Sequence, residues 1–463
     1  MWKKIVVILL FINCLKANEV SKKSDILSLI SHDKSSMFRN ICFMNIMSRY
    51  RYEYPYKNEY IPTDVCTHLF FGNAAINDLG AIVYSYPWSQ EEADDLQQLF
   101  TMKGRGVLQH IYLSVGGPEH SGYNVGNLYT ASTNSTNYIS NTNMFIDIWR
   151  RIFTDDFYSD SFITSLEDIL KNFDFTGINL NYHFPQWPSN NDEEMEQYIK
   201  FIKKLRESFK PSFNIAISIQ GGKSTSKLPI KKILEYVDYI NIVDNVDFYY
   251  NGINSRVAGN NYKTILHDSI NQLKEYDLKA FNFYLPLHGQ GYKVNVVDYY
   301  NKRAASALNE ITVKGSIRGL NFSNLLGYVT FAELCILHAT INRPEKFKST
   351  SSTAINNDET ATQLSNTLNQ SFFIPLKEDT IESCGSWITN NLDESNLLVD
   401  LISYTDVLDV QEIVDVIRQN HIGGLYIQNI DEDDYLNACN FGNSSLINSI
   451  NRRYTTPNKK NVL

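Results

Sequence analysis

This sequence predicts a (β/α)8 barrel on three observations. Eight short apolar runs recur along the chain, amphipathic stretches separate them, and 463 residues at 43% hydrophobic content suffice for one large domain with an insertion. Strand and helix alternating eight times is the pattern of a closed barrel, whose chemistry sits at the C-terminal ends of the strands.

The runs come in order. "NICFMNIM" starts at Asn40, "CTHLFFGNAAI" at Cys66, "HIYLSVGG" at His110 and "TGINLNY" at Thr176. "FNIAISIQGG" follows from Phe213, "YVDYINIVD" from Tyr236, "AFNFYLPLHG" from Ala280 and "IGGLYIQNID" from Ile422. Between them lie helix-like segments such as "SDSFITSLEDILKNF" and "NDEEMEQYIKFIKKLRESF". The second opens with acids and closes with bases, as the helix dipole prefers.

One segment breaks the alternation. More than a hundred residues separate the seventh run from the eighth, among them "LLGYVTFAELCILH" and the polar run Lys348–Ser371. The polar run reads as a mobile surface loop and the rest as a small inserted α+β subdomain walling one side of the barrel mouth. The barrel is expected over 36–290 and 396–450, the insertion over 291–395, and a C-terminal tail over 451–463.

At the N-terminus, Lys3 and Lys4 precede an apolar run from Ile5 to Leu15, with Ala17 as a cleavage-type small residue. About 11 apolar residues fall short of the ~20 that span a bilayer, so 1–17 reads as a secretory leader and the mature protein as extracellular, with no membrane span. Without the leader the chain carries 39 basic and 51 acidic side chains, a net charge of −12, which makes nucleic acid a poor partner. Cys42, Cys66, Cys335, Cys384 and Cys439 remain, and two disulfides with one spare thiol is the simplest count. Asn134, Asn321, Asn369 and Asn443 open glycosylation sequons consistent with that compartment.

In their order and spacing these motifs resemble the secreted chitinases and chitinase-like proteins of glycoside hydrolase family 18. "CTHLFFG" resembles the second strand of that family, "LSVGG" the third, "GINLNYHFP" the fourth and "YINIV" the sixth. "LGYVTFAELC" is similar to the start of its inserted subdomain, "ISYTD" to the segment before its last helix, and "GGLYIQNIDEDD" to its eighth strand. The resemblance implies disulfides Cys42–Cys66 and Cys335–Cys439, leaving Cys384 as a partly buried free thiol.

The family pattern on the fourth strand is D-G-x-D-x-D-x-E, with alternate side chains pointing into the barrel. Aligned on Gly177 and Pro185, Thr176, Asn179, Asn181 and His183 stand at the four acidic positions. The resemblance makes the glutamate the general acid and the last aspartate the group that orients the substrate's own acetamido nucleophile. Asn181 keeps the shape of an aspartate without its charge. His183, with a reference pKa of about 6.5, is a neutral base for much of the time.

The stacking tryptophans that the family carries at the ends of strands one, three and eight are replaced by Met47, Pro118 and Gln428. Its Tyr-Gly-Arg on strand seven reads His288, Gly289 and Gln290, and its Met-Thr-Tyr-Asp on strand six reads Val243, Asp244, Asn245 and Val246, or Asp247 with a one-residue shift. Tyr182 and Trp187 remain as candidate stacking residues, against the plainer reading of barrel and loop packing. With His183, His288 and Gln428 they make up the candidate sugar-binding set. His183 and His288 could face one mouth, but two imidazoles lack a third ligand, so no metal is expected, and no cofactor.

The expectation is a secreted chitinase-like protein without hydrolase activity, working as a signalling, immune or host-modulating factor through contacts with an extracellular protein. A lectin for chitin or other N-acetylglucosamine-containing glycans is the alternative, and a hydrolase of altered chemistry the third.

Overall fold

The computed structural model describes residues 38–51, 54–83, 90–106, 108–117, 148–182, 192–221, 228–243, 262–295, 313–316, 327–342, 385–393 and 398–451. The leader, His183, Trp187, Pro118, residues 244–247, Cys384, the polar run 348–371 and the sequons at Asn134, Asn321 and Asn369 lie outside the described residues.

Each of the eight apolar runs forms a strand. They are β1 (Arg39–Asn45), β2 (His68–Ile76) with the short β3 (Ile82–Val83) folded back on it, β4 (His110–Gly116), β5 (Gly177–Asn181), β6 (Asn214–Gln220), β7 (Tyr239–Val243), β8 (Phe281–Pro286) and, after the insertion, β14 (Gly424–Gln428). The order β1-β14-β8-β7-β6-β5-β4-β2, closed by pairing of β1 with β2, is parallel throughout. Central strands such as β5 and β7 are buried at every residue, which is why they read as continuous runs rather than alternating ones.

The surrounding helices follow from apolar spacing. In the helix Asp156–Asn172, Phe162, Ile163, Leu166 and Ile169 recur at helical intervals and are buried, while Asp155 caps the start by accepting the Phe157 N–H. The turn after β4 needs its two glycines: Gly116 and Gly117 have φ of +101° and +96°, and a Cβ on Gly116 would meet the Asn181 carbonyl oxygen at 2.8 Å.

A second, antiparallel sheet holds β9 (His288–Asn295), β10 (Val313–Ser316), β11 (Tyr328–Thr330), β12 (Gly385–Asp393) and β13 (Leu398–Tyr404), in the order β10-β9-β13-β12 with β11 also on β9. It is wider than the expected 291–395. β8 ends at Pro286 and β9 begins two residues later, and β9 takes β13 as its partner from Asn295 to Gly289, so the sheet runs from 288 to 404. The helix Phe331–Asn342 starts in a reciprocal cap, Thr330 Oγ1 accepting the Glu333 N–H and Glu333 Oε2 the Thr330 N–H. Its Cys335 is bonded to Cys439 after β14, and Cys42 of β1 to Cys66 ahead of β2, as the resemblance implied. Among the described residues no helix is long and apolar enough to cross a membrane.

Candidate functional site at the barrel mouth

Inward positions of neighbouring strands fall level with one another. Register sets Ser114 beside Asn179 and Asn241 beside Asn282. Their side chains join into a chain of hydrogen bonds crossing the barrel. Arg39 Nε donates to Asn282 Oδ1 (2.8 Å), Asn282 Nδ2 to Asn241 Oδ1 (2.9 Å) and Asn241 Nδ2 to Asn179 Oδ1 (3.3 Å). Asn179 Nδ2 then donates to Ser114 Oγ (2.9 Å), and Ser114 Oγ to Asn73 Oδ1 (3.0 Å). Every link donates in the same direction, so each polarises the next. Two side branches join it, Ser218 Oγ donating to Asn179 Oδ1 and Asn181 Nδ2 to Asn73 Oδ1. Asn179, Asn241, Asn282 and Ser114 are fully buried, and β5 carries no carboxyl group.

This arrangement needs amides. An amide gives and receives at once, so it can sit mid-chain, whereas a carboxylate only receives. Apart from Arg39 at the foot of β1, the ladder is neutral.

The four sequence positions singled out on the fourth strand therefore separate in space. Thr176 lies at its N-terminal foot, where its Oγ1 accepts the Ile111 N–H. Asn179 is mid-barrel and Asn181 is at the C-terminal end, while His183 lies outside the described residues.

Tyr182 is a correction. Strand alternation turns it outward, where it is fully buried against Trp149, Phe153 and Tyr198 and donates its hydroxyl to Glu194 Oε1. Burial first, and then Glu194, raises its phenol pKa. It cannot stack on a sugar in the mouth. Of the residues at the platform positions, Met47 is 43% exposed just beyond β1 and Gln428 is half-buried at the end of β14. Asn443 is exposed.

His288 also departs from expectation. It opens β9 instead of closing the seventh strand, and it is buried. Its Nδ1 lies 2.8 Å from the Tyr328 hydroxyl, 3.3 Å from the Tyr284 hydroxyl and 3.2 Å from Glu432 Oε2. Tyr328 donates its proton to Glu432 Oε1 (2.7 Å), which leaves its oxygen to accept from His288. Nδ1 therefore carries a hydrogen. Asn429 Nδ2 is a second donor on Glu432 Oε1 (2.6 Å).

Sequence reasoning missed Glu432. Asp431, Glu432, Asp433 and Asp434 read as an acidic tail to the last strand, and such runs are ordinarily solvated. All four are buried. Asp431 is paired with Arg51, Asp433 accepts the N–H groups of Asp434, Leu446 and Ile447, and Asp434 accepts those of Ala438 and Cys439. The available signal was position, since a charge run directly after a buried barrel strand must turn inward or be paired. Among the described residues, the one group of metal-ligand type, Cys335, Asp434 and Cys439, has both sulfurs in a disulfide.

A closed parallel barrel with an α+β insertion between its seventh and eighth strands makes this a (β/α)8-barrel protein. The sequence pattern of "Glycosyl hydrolases family 18" matches residues 39–433, and the chain belongs to that family. A Margaritifera margaritifera protein provisionally named chitinase 1 is 22% identical over 227 residues, which cover 47% of this chain and 43% of that protein's length. A group IV chitinase of Ostrinia furnacalis shares the fold at TM-score 0.62 and 14% identity, over 90% of this chain and 99% of that one. So does human YKL-39, described as a pseudo-chitinase with retained chitooligosaccharide binding, at TM-score 0.61 and 15% identity, over 89% and 98%. An immunomodulatory active chitinase from Trichuris suis gives TM-score 0.60 at 15% identity, over 89% and 98%.

Proposed function

We propose that this is a secreted chitinase-like protein that does not hydrolyse glycans and acts through its outer surface on an extracellular partner, in a signalling, immune or host-modulating role. The observation that carries the reading is the neutral ladder through Asn179 and Asn181. The family's hydrolysis needs a carboxylic acid above the fourth strand and a carboxylate to steady the cationic intermediate. Here the end of that strand offers an amide already bonded to Asn73.

Binding of a chitooligosaccharide in a remodelled cleft is the second reading, favoured by the half-buried Gln428 at the end of β14 and by the fold shared with YKL-39. Loss of the three tryptophan platforms argues for weakness, because each buried aromatic contributes on the order of 1.5 to 3 kcal/mol.

The test is turnover of a fluorogenic chitobioside between about pH 4 and pH 8. We expect none above background, and none after His183→Glu alone, because Asn179 and Asn181 stay neutral. Robust turnover by the unmodified chain overturns the reading. A chitohexaose titration then separates the two readings: binding weaker than about millimolar, ~4 kcal/mol, leaves the surface role. Micromolar binding lost in Trp187→Ala makes the protein a lectin.

A further inference from the structure

The cluster around Glu432 joins three stretches of chain that are distant in sequence, around 284–288, 328 and 432. Tyr284 belongs to barrel strand β8, His288 opens β9, Tyr328 opens β11, and Glu432 lies in the turn after barrel strand β14. Two members thus come from the barrel and two from the inserted sheet. Glu432 receives the Tyr328 and Asn429 protons on one oxygen and faces His288 Nδ1 with the other, and the His288 and Tyr328 rings stack with centroids 4.2 Å apart.

We propose that this cluster is an acid-released clasp: at neutral pH the Glu432 carboxylate locks the His288 end of β9 and the Tyr328 end of β11 onto the barrel mouth, and protonation of Glu432 lets those strand ends move. The inference stands apart from the question of what the cleft binds.

Ionised Glu432 accepts three hydrogen bonds. Protonated, it loses the charge that strengthens the bonds from Tyr328 and Asn429, and one oxygen becomes an O–H donor that competes with the donors already facing it. The neighbouring charges are accounted for. Asp431 is spent on Arg51, and Glu333, on the helix packed against the same turn, is spent on the Thr330 N–H. Burial, outweighing Arg51, pushes the Asp431 carboxyl up to about 6, so it titrates first and relieves repulsion on Glu432. For Glu432 burial works against ionisation, but His288, Tyr328 and Asn429 together hold its pKa below the ordinary 4.5. With the folded pKa depressed, the clasp's stabilisation is complete above 4.5 and is lost as the pH falls below it. The Cys335–Cys439 bond limits the movement, because it still ties the helix Phe331–Asn342 to the turn. Release is therefore local to these ends of β9 and β11.

Hydrogen exchange at two backbone amides reads this directly. Gly291 N–H is bonded to the Gly327 carbonyl (2.8 Å) and Phe331 N–H to the Leu287 carbonyl (2.9 Å), so neither acceptor titrates. In the unmodified full chain, their protection factors should drop several-fold, up to about tenfold, between roughly pH 6.5 and pH 3.5, while Leu180 and Ile217 in the barrel keep theirs. Glu432→Gln, which meets the His288 Nδ1–H with a second donor, should show lowered protection already at neutral pH and little further change in acid. Tyr328→Phe, a milder change, should lower protection at neutral pH by a smaller factor. An acid loss of the same size in Glu432→Gln as in the unmodified chain overturns the proposal. So does native protection in both variants at neutral pH, or barrel amides that fall in parallel with the reporters.

Discussion

At the residue scale the ladder turns on the two-sidedness of one amide. Asn179 Oδ1 receives from Ser218 and Asn241 while its Nδ2 gives to Ser114, all in full burial. Asn179→Asp, which restores the acid of the family pattern, separates shape from charge. A protonated carboxyl can place its O–H where the amide has its N–H, so the variant should be close to native stability at about pH 4. Burial raises the folded pKa of such an acid, so stability falls as pH rises from the unfolded value toward the folded one. By about pH 7 we expect a loss of ~1–3 kcal/mol, from urea unfolding midpoints of the two proteins compared at both pH values. Equal losses at both would mean that shape, not charge, is what the ladder tests.

At the element scale, helix starts are fixed by side chains next to them in sequence. Asp406 accepts the Leu408 and Asp409 N–H groups, and Asp409 reaches back to the Asp406 N–H, so the helix Val407–Gln419 begins in a closed box. Asp406→Ala should cost about 1 kcal/mol, measured by thermal unfolding. Leu408→Ala, at a side chain that is 50% exposed, should cost far less. A larger loss for Leu408→Ala would place an unseen contact on that helix. The strands show the same economy: the runs of Val, Ile, Leu and Phe that mark them in the sequence are the positions the barrel buries on both faces.

At the scale of the whole molecule, two covalent links close loops of different size. Cys42–Cys66 spans 24 residues within the barrel, whereas Cys335–Cys439 spans 104 and joins the insertion to the chain after β14. On the chain-entropy account, removing the longer link by paired Cys→Ala substitution should cost about 4 to 5 kcal/mol and the shorter about 3 to 4. Urea unfolding of the two double variants checks the order. A greater loss from the shorter link would show that native packing around Cys42 dominates over loop entropy.

The sequence by itself determined the barrel, and the family resemblance carried by its motifs implied both disulfide pairs. The barrel rests on local periodicity, which survives in a linear reading, and the pairing of cysteines on the likeness to a known family. The sequence also placed Asn179 and Asn181 inside, since strand alternation is a matter of counting from Gly177. The same counting sends Tyr182 outward, but its aromatic character suggested the mouth, and only the packing of Trp149, Phe153 and Tyr198 around it decided the matter. Glu432 with His288 was beyond a linear reading. The two residues lie 144 positions apart, and what makes an acidic run sink into the fold is the arrival of Arg51, His288 and Tyr328 from three other segments. Burial of charge is settled by partners, and partners brought together by barrel closure are visible only once the barrel has closed.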